Sequence, residues 1–151
     1  MFYFKKKKQE KEFDIDILQQ QMYQNSFNKL QDFLPDDWKK VDFHAYYTDS
    51  CFGFKYYIMM DNGEWIDCFN LYGKKLTELF LSIDEDITNV RNQLPKKHKW
   101  HIMNMIVDNK GHIDVSYDYA DKVKDDAKNL MDYLLTEEKE WCGKHQIKTN
   151  N

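Results

Sequence analysis

No apolar run in this chain approaches the ~18 to 20 residues that a membrane-spanning helix needs. The lysines at positions 5 to 8 are followed by Gln9, Glu10, Lys11 and Glu12 rather than by an apolar signal segment. A cytoplasmic location without a membrane partner is the expectation. Cysteine is scarce and scattered. Cys51, Cys68 and Cys142 are odd in number and form no C-x-x-C pair, which argues against a disulfide framework or a zinc knuckle and predicts reduced thiols. With 2 prolines and 5 glycines the chain has no evident linker, so one domain is expected rather than two. A Gly-rich phosphate loop, G-x-S-x-G, a dinucleotide fingerprint and H-E-x-x-H are all missing. The sequence therefore predicts no cofactor, no metal and no catalytic residue.

What the chain does contain is enough for a packed core. Its 151 residues are 42% hydrophobic and 16% aromatic, a size at which a domain buries roughly two-thirds of its unfolded surface. The charged fraction of 32% and a mean hydropathy of -0.84 suit a water-exposed surface. The formal charge is -4. Because residues 1 to 12 hold five Lys against two Glu, the remainder carries about -7. Such a body is steered toward a basic partner and repelled by nucleic acid phosphates, so no nucleic acid partner is expected.

Apolar periodicity divides the chain. Residues 1 to 12 show no amphipathic period and read as a flexible basic arm or a helix extension, residues 13 to 145 as the domain, and residues 146 to 151 as a polar tail. From Ile15, the recurrence of Leu18, Met22, Phe27, Leu30 and Leu34 predicts a first helix over about 14 to 33, ended by Pro35. Val41, Phe43, Ala45 and Tyr47 then alternate with Asp42, His44 and Tyr46, as in a half-buried strand. A second strand over 52 to 60 and a third over about 64 to 71 flank Asp61, Asn62 and Gly63, a hairpin signal. Connections this short impose antiparallel pairing. Leu76, Leu79, Phe80, Ile83, Ile87, Val90 and Leu94 give the clearest helical stripe. A hairpin over 100 to 121 follows, then a last helix carrying Val123, Ala127, Leu130, Leu134 and Trp141. The order α-β-β-β-α-β-β-α predicts an α+β domain, an antiparallel sheet of about five strands with helices packed on one face. Trp100, Leu79, Ile83 and Tyr117 are expected in its core.

Three segments carry a likeness. Leu34, Pro35, Asp36, Asp37 and Trp38 resemble the Pro-x-x-Trp entry from first helix to first strand in the YezG-like immunity proteins. Lys99 and Trp100, the turn at Asp108, Asn109, Lys110 and Gly111, and Tyr117, Asp118, Tyr119 resemble that family's Trp-led strand, turn glycine and Tyr-Asp-Tyr closing strand. Glu137, Glu138 and Trp141 are similar to its late acidic-to-Trp segment. The likeness covers roughly residues 14 to 142. It implies an α+β immunity protein, an antitoxin that neutralises a secreted nuclease toxin by direct binding and catalyses nothing itself.

The remaining chemistry is weighed against plain structure. Asp114 and Asp118 share a strand face with His112 and Ser116, and Asp121, Asp125 and Asp126 continue the acidity. This run reads either as a solvated face complementing a helix N-terminus, or as carboxylates that imitate phosphates in a toxin's basic cleft. Tyr46, Tyr57 and Trp65 on the meander are further candidates for a partner contact, or else lie beneath helices. His44, His98, His101, His112 and His145 lack metal-ligand spacing. Cys68, placed between Asp67 and Phe69 in a strand, reads as a small buried residue. Lys5 to Lys8 beside Phe2, Tyr3 and Phe4 read as a solvated terminus or as a weak anionic contact. Rival functions are an enzyme using Asp and His, and an adaptor with no toxin partner. A toxin gene immediately upstream distinguishes the first reading from both.

Overall fold

The computed structural model describes residues 2–48, 51–119 and 127–145. Two compact units emerge, one from residues 1–33 with 75–99 and the other from 34–74 with 100–151.

The first unit is a helix pair. Helix α1 spans Phe2–Leu30 and ends in a 3-10 turn, Gln31–Phe33. The expected start near residue 14 falls inside it, so the backbone carrying Lys5 to Lys8 is already helical. Helix α3 spans Leu76–Arg91, and the stripe Leu76, Leu79, Ile83, Ile87 and Val90 is buried at the spacing that one helical face requires. The helices are fastened where Lys29 Nζ meets Asp86 Oδ2 at 2.5 Å and donates to the Ser82 carbonyl at 3.0 Å. A 3-10 turn, Lys96–His98, follows Pro95.

The second unit is an antiparallel sheet of five strands in the order β3-β2-β1-β4-β5. Strand β1 is Trp38–Tyr47, β2 Phe52–Met60, β3 Trp65–Asp67, β4 Ile102–Asp108 and β5 Ile113–Asp118. The α+β class and the five-stranded antiparallel sheet expected from the sequence are both present. Two turns rely on glycine. Gly63 at φ 84° closes the β2–β3 hairpin, and Gly111 at φ 91° closes β4–β5, a region costly for residues with a Cβ. At the second turn Asp108 Oδ1 accepts from the backbone N–H groups of Lys110 and His112. The His112 backbone bond first, then the His112 ring and the Lys110 N–H, hold this carboxyl down at about 2.

Register sorts the sheet into two chemically distinct faces. Val41 pairs with Ile58 and Val107, Phe43 with Tyr56 and Met105, and Ala45 with Phe54 and Met103. These residues share an apolar face, extended on β5 by Ile113, Val115 and Tyr117. Trp100 closes one end of it, wholly buried, with its ring 5.5 Å from those of both Tyr47 and Tyr117. Trp100, Leu79 and Ile83 are buried as expected, whereas Tyr117, near the sheet edge, is half-buried.

One element departs from the sequence expectation. The third strand stops at Asp67, and Cys68–Tyr72 forms a short helix, α2. Asp67 caps it by accepting the Phe69 N–H at 2.9 Å, and Gly73 at φ 52° ends it. Cys68 is fully buried, but on a helix rather than a strand.

Candidate functional site

The second face of the sheet is polar at its centre. Alternation puts Asp42, His44 and Tyr46 of β1, Lys55 and Tyr57 of β2, and Asn104 of β4 on it. Charges on central strands demand partners, because burial without them costs several kcal/mol on the order of a lost ion pair. The partners come from helix α4, Ala127–His145, which lies on this face. Trp141 stacks on Tyr57 with ring centroids 3.7 Å apart and donates its indole N–H to Asp42 Oδ2 at 2.8 Å. Trp65 meets the same indole edge-on at 5.2 Å, and His145 stacks on it at 3.9 Å.

Two ionic clusters lie beneath the helix. Asp42 Oδ1 accepts from Asn104 Nδ2 at 2.7 Å and lies 3.1 Å from His44 Nε2. Burial pushes the Asp42 carboxyl up, but hydrogen bonds from His44, Trp141 and Asn104, with the His44 charge, outweigh it and hold the group below its ordinary value. Lys55 is gripped by Glu138 of α4 and by Asp67, the latter at 2.9 Å. Burial lowers the Lys55 pKa, yet these carboxylates more than offset it, and the ammonium ends above its usual range. Burial raises Tyr57 and Cys142, whose Oη and Sγ lie 4.0 Å apart.

Above these clusters opens a pocket of about 200 Å³ between α4 and strands β1 and β2. His44, Tyr46 and Tyr57 supply the strand side, while Glu140, Trp141 and Lys144 lie on the helix side. Farther along the same face, β5 presents Asp114 opposite Ile106 and Asp118 opposite Ile102. Since Ile106 pairs with Asp42 and Ile102 with Tyr46, both aspartates lie in rows that lead back to the pocket strand. Asp114 is exposed and Asp118 half-buried. Acids on an edge strand also discourage unwanted strand pairing.

The candidate contacts named from the sequence thus separate. Asp114, Asp118 and Tyr46 share one face, Tyr46 being buried at 8% exposure where it borders the pocket, whereas Asp121 and Asp125 lie outside the described residues. Tyr57 is 2% exposed under the Trp141 ring, and Trp65 is half-buried beside it, so both support the helix instead of offering open surface. Sequence reasoning missed Asp42, Lys55 and Trp141 as one constellation. Their signal was a charge at alternate positions of two strongly apolar strands.

Among the described residues no group of three or more His, Cys, Asp or Glu is placed to hold a metal ion. His112 contacts Asp108 at 2.8 Å in the exposed turn, and His101 Nδ1 lies 2.8 Å from the Tyr47 carbonyl. Burial pushes the Cys68 thiol up to about 12, the reverse of what a nucleophilic thiolate requires. No described helix is long and apolar enough to cross a membrane.

The fold and face define an α+β domain whose polar chemistry is spent on internal pairing, with carboxylates and rings bordering a small pocket. The family model for immunity protein YezG-like matches residues 18–141, and the chain belongs to that family. No curated protein matches it in sequence.

Proposed function

We propose that this chain is an antitoxin that binds a cognate secreted toxin, a nuclease, and occludes its active cleft without catalysing a reaction. Membership of the immunity family over residues 18–141 is the observation that carries this reading. The geometry supports a binding mode. Asp114 and Asp118 carry the charge of the phosphates that a nuclease cleft attracts, and they share a face with the aromatic pocket at Tyr46. The acidic run continues in the sequence through Asp121 and Asp125. An acidic body in the cytoplasm, where a producing cell meets its own toxin, speeds encounter with a basic cleft. Partner groups that enter the pocket and lose their water then supply holding energy.

The test is titration of a nuclease encoded beside this gene with purified protein. Activity is expected to fall to zero at one equivalent, with a complex of equal stoichiometry on a sizing column. An adjacent nuclease that stays fully active at excess overturns the proposal. So does reproducible turnover by the chain alone that is lost on replacing one Asp or His.

A further inference from the structure

We propose that the pocket between α4 and strands β1 and β2 receives one guanidinium side chain of the bound toxin, so that a single arginine keys the complex. This rests on the antitoxin reading above and names the partner chemistry of that face.

Size argues first. At about 200 Å³ the pocket falls below the ~300 Å³ floor typical of small-molecule sites and suits one long side chain. Wall chemistry argues next. His44 and Tyr46 stack with ring planes 9° apart on the strand side, whereas the Trp141 indole is already stacked by Tyr57 and His145 and turns only its edge to the pocket. A flat ring such as Tyr46 favours a planar, weakly hydrated cation over a compact ammonium. Charge decides the sign of the occupant. Glu137, Glu138 and Glu140 line the pocket with Lys144, and because Glu138 and Asp67 together outweigh the Lys55 they hold, the balance still repels an anion. Lys55 does not line the pocket and is held by Glu138 and Asp67. Glu140 forms no ion pair among the described residues and is exposed, so its carboxylate can face an incoming guanidinium. Lys144, one helical turn away, opposes the cation and keeps the site weak until a surrounding interface adds to it.

The experiment follows the Trp141 indole N–H by NMR while N-acetyl-arginine methylamide is added to the full chain. N-acetyl-glutamine methylamide serves as the neutral control. A saturable shift with the arginine probe and none with the glutamine probe is expected. Glu140→Gln should weaken the arginine probe about fivefold, and Tyr46→Leu by a similar factor, in variants whose spectra otherwise match the parent. Absence of a saturable shift, an equal response to the neutral probe, or parental affinity in Glu140→Gln overturns the proposal. Toxin neutralisation is scored separately. A chain that protects but ignores the arginine probe refutes the pocket assignment alone. One that binds the probe but neutralises no adjacent toxin refutes the antitoxin reading, and with it the occupant named here.

Discussion

Trp141 lies flat on Tyr57, ring planes 15° apart, while its indole N–H reaches across to Asp42. The Trp141 side chain thus joins α4 to two strands far from it in sequence, β1 and β2. Removing that side chain takes away a stacked pair and leaves a buried carboxylate short of a donor. Trp141→Ala is therefore expected to destabilise by about 2 to 4 kcal/mol, and Trp141→Phe, which keeps the stack but not the N–H, by about 1 to 2 kcal/mol. Urea midpoints order the three proteins. Equal midpoints would mean that α4 is not clamped to the sheet.

The two ionic clusters give stability opposite pH limits. Asp42 is held below its ordinary value, so the unfolded chain binds the proton more tightly. Its contribution is complete above the unfolded pKa of about 3.9 and is lost as pH falls through the folded value. Lys55 is held above its ordinary value, so its contribution is complete below about 10.4 and is lost as pH rises through the folded value. Asp42→Asn should flatten the acid limb of a stability profile, and Lys55→Met the alkaline limb. Urea midpoints across the pH range decide this, and a limb left unchanged by its variant removes that cluster from the account.

Each unit has a residue on which its packing depends. Ile83 is buried in the helix pair and Trp100 closes the apolar face of the sheet. Ile83→Ala and Trp100→Ala should each destabilise by roughly 2 to 5 kcal/mol, the cost of a core cavity. Denaturant melts followed by circular dichroism measure both. Parental midpoints would contradict the burial of these two positions.

How much of this was legible depended on range. Period-two alternation in Val41, Phe43, Ala45 and Tyr47 was enough to assign faces, and Asn62-Gly63 and the Asp108 to Gly111 turn located both hairpins. Local pattern failed at Cys68 to Tyr72, where apolar and aromatic residues suit strand and helix alike. The Asp67 cap and the Gly73 stop decided for a helix. The site was legible only in part. Asp114 and Asp118 were correctly placed on one strand face, but nothing local links Asp42 or Lys55 to Trp141 and Glu138. Those pairs form only once β1 and β2 are in register and α4 has docked. Tyr57 could be read as open surface because its cover comes from the far end of the chain.

The acidic rows of β5 provide the remaining prediction. Asp114 and Asp118 share the face of the aromatic pocket but sit toward the sheet edge, where water screens them. Carboxylates in that position act mainly by steering, which enters the association rate, whereas desolvated charge pairs enter the dissociation rate. Asp114→Lys combined with Asp118→Lys should slow toxin association about tenfold at low salt and reduce its salt dependence, with dissociation nearly unchanged. Rates measured at two ionic strengths distinguish the cases. Faster dissociation with unaltered association would place the aspartates inside the desolvated contact instead. A folded double variant that keeps parental rates at both salts and still protects cells would make these residues a solvated edge, moving the contact to the pocket at Tyr46.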